Sequence, residues 1–177
     1  RKAVTSKPGF SQAHSNLLLS MCFSPAYGPE AMATDHREWN DRYARPLAAQ
    51  IKPHENDRNP ERRLRIGYVS FDFRTHATSN FFEPLVAAHD HENMEVFCYA
   101  GGAVSDQVTG RLQASSDVWR KIMGMSDEAV ADRIYTDKID VLVDLSGHTA
   151  GHRLLVFAWK PAPVQVTYLG ALTTTGL

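Results

Sequence analysis

Two stretches of the chain concentrate side chains able to do chemistry. The first is SFDFRTHATSNFF, Ser70 to Phe82; the second is DLSGHTAGHR, Asp144 to Arg153. In the first, His76 reads as a general base, because imidazole titrates close to neutral pH, or as a loop histidine bonded to backbone. Asp72 would orient it or cap a turn. His148 holds the corresponding place in the second stretch. Ser70, His76 and Asp144 supply the residue types of a serine hydrolase, but no G-x-S-x-G elbow places a serine on a strained turn. His76, His148, His152 and Asp144 are metal-ligand types without ligand spacing, so no metal is expected. Gly147 and Gly151 would let backbone N–H groups approach a phosphate. Their spacing fits neither G-x-G-x-x-G nor G-x-x-x-x-G-K-[ST], and a tight strand-to-helix turn is the competing reading.

These stretches need elements to aim them. LRIGYVS (Leu64–Ser70), MEVFCYA (Met94–Ala100), DVWRKI, IDVLVDL (Ile139–Leu145) and PVQVTYLG read as strands. IDVLVDL is almost continuously apolar, as a strand covered on both faces should be. Helical patterns separate them: Phe82, Leu85, Val86 and His89 share one face, with Pro84 confined to the first turns or causing a kink. Phe81 and Phe82 are expected in helix packing. Further helices are expected around Val104, Val108 and Leu112, after the N-cap candidate Ser126, and from His152 to Trp159. Strand and helix alternate, which argues for a parallel, helix-flanked sheet of the Rossmann type. In such sheets ligands bind at the carboxyl ends of strands, where both stretches and the terminal LGALTTTGL fall.

Before Lys52 the pattern is helical. One amphipathic run from Ser11 or Gln12 ends at Ser24-Pro25. A second starts near Pro29-Glu30, carries Met32, His36, Trp39 and Tyr43 on its apolar stripe, and is limited by Pro46. KPHENDRNPERR, Lys52 to Arg63, is polar and proline-interrupted, the composition of a connection. Residues 1–60 are therefore expected as a helical connector and 61–177 as a Rossmann-like lobe.

With 177 residues and a formal charge of −1, the chain gives no electrostatic reason to expect nucleic acid or an anionic membrane as a partner. It has 2 cysteines, no metal-spaced pair, and no apolar run long enough to span a bilayer, so a cytoplasmic location is expected. It opens on Arg1 without an initiator methionine and is read as a piece of something longer.

From Leu64 to Leu177 the segments IGYVS-DF-xxH, MEVFCYA, D-GHT-G-R-L-FA-KPAP-Q and LG…TTG occur in an order and at separations that resemble the O-GlcNAc transferase/SPINDLY family. SQAHSNLLLSM and HREWNDRYARPLA resemble the end of a tetratricopeptide array and a helical connector. The resemblance implies one lobe of a two-lobed GT-B glycosyltransferase, whose second lobe lies outside this sequence. It implies inverting transfer of a sugar, N-acetylglucosamine from UDP-GlcNAc, to protein Ser/Thr hydroxyls without a metal or cofactor. By position, His76 matches an active-site histidine that contacts donor or acceptor. Gly147, His148 and Thr149 match a cleft-facing loop, and Gly170 matches a glycine near the sugar. Arg74 and Arg153 are the few loop cations available to a leaving diphosphate. Ala171-Leu172 stands where the family pattern has Tyr-Pro; the alternative reading is a non-catalytic scaffold, or a transferase for another sugar.

Overall fold

A computed structural model of the chain describes residues 2–170 and 173–177. Three helices come first: α1 (Lys2–Ser6), α2 (Ser11–Cys22) and α3 (Pro29–Trp39). Pro29 starts α3 where a missing N–H costs nothing. Pro46, expected to limit the second helix, does not stop the chain from coiling. A π-helical turn, Asn40–Ala44, leads into 3₁₀ turns, Arg45–Gln50, and Pro46 occupies the first turn of the latter.

The sheet follows: β1 (Leu64–Ser70), α4 (Ala77–Ala87), β2 (Met94–Ala100), α5 (Gln107–Ala114), β3 (Val118–Lys121), α6 (Asp127–Thr136), β4 (Val141–Asp144), α7 (Leu154–Ala158) and β5 (Val164–Thr167). The order is β3-β2-β1-β4-β5 and every pairing is parallel. This is the expected Rossmann-type sheet, with its strand order reversing between β1 and β4.

Side-chain alternation along the strands builds two cores. Val69, Phe97, Tyr99 and Leu142 face α6 and α7 through Val130, Ile134, Val156 and Phe157. Tyr68, Val96, Cys98 and Val143 face α4 and α5 through Phe82, Val86 and Leu112. Successive residues point to opposite faces, so a strand buried on both sides must be apolar throughout. Pro84 lies inside α4, not in its first turns, and gives up one i→i−4 bond shortly before the helix ends. Phe81 departs from expectation: it is 62% exposed, while Phe82 is 1% exposed and fills the core.

A third core docks the helical segment on the lobe. Leu18 and Met21 of α2, Trp39 of α3 and Ala44 close over Leu154 of α7. Each large side chain so buried contributes roughly 1.5–3 kcal/mol relative to exposure. The proline-broken stretch after Lys52 has no regular structure, yet it is pinned. Asp140, just before β4, accepts from Arg62 Nη1 and Nη2 at 2.7 and 2.6 Å, from Asn56 Nδ2 at 2.7 Å and from Arg65 N–H at 2.8 Å. Burial alone would raise the Asp140 pKa, but these donors, Arg62 foremost, hold it below the usual carboxylate value.

Candidate functional site

The carboxyl ends of β1, β4 and β5 carry the site. Asp144, the last residue of β4, is buried and organises two loops at once. Its carboxylate accepts from Ser146 N–H at 3.1 Å, Gly147 N–H at 2.8 Å and the Thr167 hydroxyl at 3.0 Å. Burial nonetheless pushes its pKa up. Gly147 has φ 56°, in the left-handed region, which lets the chain turn tightly enough to return both N–H groups to Asp144. Thr149 closes that turn by donating its hydroxyl to Ser146 O at 2.8 Å. Gly170 lies against it: a Cβ there would come within 2.7 Å of both Gly147 N and the Ser146 carbonyl carbon. Gly147, Thr149 and Gly170 are therefore one compact unit.

His148 belongs to the same loop but points inward, at 1% exposure. Its Nε2 lies 2.9 Å from Thr175 O, so Nε2–H donates there, and Nδ1 accepts from the Ser15 hydroxyl at 3.0 Å. Burial, with smaller contributions from neighbouring histidines, holds its pKa down to about 3. The ring stands edge-on to His36 at 5.2 Å, Trp39 at 4.9 Å and His152 at 5.6 Å. His152 is also held down, to about 4, by burial. Its Nδ1 accepts from Leu154 N–H, and its buried Nε2 meets no partner among the described residues.

His36 is the residue that sequence reading missed as a site component. Its Nδ1–H donates to Met32 O at 2.7 Å, leaving Nε2 as an acceptor 3.4 Å from the Thr173 hydroxyl. Helix α3 thus supplies one wall to the terminal segment of the lobe. The signal was present, a histidine within the apolar stripe of a helix, but periodicity alone files such a residue with the core.

His76 stands apart from this group. It is the N-cap of α4, where its Nδ1 accepts from Thr78 N–H at 3.3 Å. With Nδ1 so engaged, the neutral ring carries its proton on Nε2, which lies 3.9 Å from Asp72 Oδ2. Its side chain is 39% exposed. At Nε2, His76 therefore offers an N–H rather than a free lone pair. Among the described residues no hydrogen bond joins it to the 147–149 loop. The connection is Phe71, whose ring packs so tightly on Gly151 that a Cβ there would sit 2.3 Å from it.

The remaining candidates have structural partners. The Ser70 hydroxyl accepts from Asp72 N–H at 3.0 Å. Arg74 pairs with Asp72 at 2.7 Å. Arg153 ties down the β3–α6 connection through Ile122 O, Met125 O and Asp127 at 3.2, 3.0 and 2.7 Å. Ala171-Leu172 lies outside the described residues. Among those described, ligand-capable atoms of His14, Asp35 and Glu38 fall within 4.8 Å of one another on the helical segment. Arg42 adjoins that group; burial first, then Arg42, lowers the His14 pKa.

The sheet and its loop edge define a Rossmann-like lobe preceded by a helical segment. The sequence profile of glycosyl transferase family 41 matches residues 46–177, and the chain belongs to that family. It is 38% identical over 174 residues to a Petunia hybrida protein named as a probable UDP-N-acetylglucosamine–peptide N-acetylglucosaminyltransferase SPINDLY, covering 96% of this chain and 19% of that protein. Over 116 residues it is 43% identical to the Arabidopsis thaliana protein named SEC, covering 65% of this chain and 12% of the relative. The structure of a mutant O-GlcNAc transferase from Thermobaculum terrenum matches with a TM-score of 0.92 at 43% identity, over 99% of this chain and 34% of that one. The chain thus spans about a fifth of the SPINDLY relative and a third of the bacterial enzyme.

Proposed function

We propose that this lobe is the amino-terminal half of an inverting transferase that moves N-acetylglucosamine from UDP-GlcNAc to Ser or Thr hydroxyls of proteins. The observation that carries the reading is the rigid loop edge of β1, β4 and β5 in a chain of family 41. In the reaction the acceptor oxygen bonds to the sugar carbon as the bond to the diphosphate breaks. The hydroxyl proton passes to a base or a phosphate oxygen. His76, with Nδ1 engaged by the α4 backbone, contributes an N–H donor to donor or acceptor. Gly147, Thr149 and Gly170 provide the close backbone surface against which the sugar lies, and His148 and His36 keep that surface in register. Arg74 and Arg153 are committed to Asp72 and Asp127, so neither is free to meet the leaving diphosphate, and its departure calls for positive charge from another group. No metal is needed in this scheme. A cytoplasmic setting is consistent with the unpaired Cys22 and Cys98.

The test uses the full-length protein that contains this lobe. Supplied with UDP-GlcNAc and a Ser/Thr peptide, it should release UDP and add the mass of one N-acetylglucosamine residue, the sugar less one water. His76→Ala should lower kcat/KM by roughly 100-fold or more, the cost of losing one positioned hydrogen-bond donor. His76→Asn retains a capping oxygen for α4 but not the Nε2–H, so it should be similarly slow while melting like the parent. Unchanged turnover in both variants would remove His76 from the mechanism, and no transfer from any nucleotide-sugar would favour the scaffold reading.

A further inference from the structure

A second feature opens on the same edge, beside the site and not part of it. The loops after β1, β2 and β3 enclose a pocket of about 350 Å³ lined by Phe71, Phe73, Val104, Trp119, Lys121 and Met123. Val104 and Met123 are 58% and 59% exposed, on loops where an apolar side chain gains nothing from water. The floor is rigid. Phe73 stacks on Phe82 and packs on Trp119, both with centroids 5.3 Å away, and its carbonyl accepts from the Thr109 hydroxyl at 2.7 Å. Asp106 caps α5 through Thr109 N–H and also accepts from Thr75 N–H at 2.8 Å, fixing the pocket to the chain that leads into His76.

We infer that this pocket is a subsite for an apolar side chain of the acceptor polypeptide, taken near an acidic residue. This rests on the proposed transferase reading and adds a substrate feature to it. Continuity supplies the first argument: Phe71 lines the pocket and packs on Gly151 of the 147–151 loop, so the pocket and that loop share a wall and one extended polypeptide can touch both. Charge supplies the second. Lys121 is the one charged residue in the lining, and no ion pair involving it is found among the described residues. An acidic neighbour of the buried residue would pair with it at the rim. The pocket admits an aliphatic or aromatic side chain together with the backbone that carries it.

The experiment scans leucine through each position around the acceptor serine of an otherwise alanine-rich peptide, with the full-length protein and UDP-GlcNAc. At one position leucine should raise kcat/KM about tenfold over alanine. Val104→Asp and Met123→Asp should each abolish that preference while leaving unchanged the KM for UDP-GlcNAc and the rate on the alanine peptide. A flat scan, or a preference that survives both variants, overturns the subsite and leaves the transferase reading intact. Equal loss on every peptide with a lowered Tm means that another part of the chain covers the pocket, which also overturns it. Absence of transfer by the parent to any peptide overturns the transferase reading, and the subsite with it.

Discussion

Replacing His148 with asparagine should flatten the pH dependence of stability by an amount that the structure sets. The folded ring is neutral, bonded at both nitrogens and buried, with its pKa down at about 3 against 6.5 for an unperturbed histidine. As pH falls below 6.5 the unfolded chain takes up a proton that the folded ring refuses until about 3. The contribution is therefore complete above 6.5 and is lost on acidification, at about 1.4 kcal/mol per pH unit. Two units down, near pH 4.5, His148 alone should account for about 3 kcal/mol. His152, held to about 4, acts in the same sense, as do His14, His54 and His89, each lowered by burial. Asp144, raised by burial, opposes them. All of these remain in the variant, so the difference between parent and His148→Asn reports this ring together with its coupling to the neighbouring histidines. The assay is urea denaturation at fixed pH values from 7 down to about 4.5, followed by tryptophan fluorescence, because Trp39 packs on the ring. The variant should be weaker at neutral pH by about 1–3 kcal/mol, from the broken bonds to Ser15 and Thr175. Its loss between the two pH values should be smaller than the parent's by about 3 kcal/mol. Parallel curves would refute the account of His148 as a buried neutral clasp.

Two further outcomes follow from the described contacts. Gly170→Ala must push a methyl group into the Ser146–Gly147 backbone, at a cost of about 1–3 kcal/mol, and should impair sugar transfer more than it lowers Tm. Asp140→Ala should cost about 3 kcal/mol in urea denaturation by stranding Arg62 and the Arg65 N–H, while the turnover of the molecules that remain folded is unchanged.

The sheet was legible because each strand is a short apolar run that alternates between two helix layers, a constraint local to the sequence. The loops that would bind a ligand were legible as places, since they follow those runs. Their internal geometry was not. Asp144 had been weighed as a hydrolase or metal residue, and it proves to hold Ser146, Gly147 and Thr167 in place. That role depends on a strand 23 residues further on. His36 was hidden because a buried histidine and a hydrophobe satisfy the same helical period. Phe81 was misjudged for a related reason: adjacent phenylalanines lie about 100° apart on a helix, and only one can face the sheet. Pro46 was read as a stop, although proline suits the first turn of a 3₁₀ segment. The polar stretch after Lys52 looked like free connection because nothing local announces that Asn56 and Arg62 will converge on Asp140.

The clasp at His148 also bears on how the molecule assembles. One imidazole joins Ser15, 133 residues earlier, to Thr175, 27 residues later. Contacts over such separations close large loops and are rewarded only after the intervening chain has ordered. The helical segment can form its own turns early, but its docking must wait until β4 and the loop beyond it are in place. Assembly of the site's helical wall is therefore a late folding event, which refolding kinetics would record as Trp39 fluorescence lagging behind the formation of the sheet.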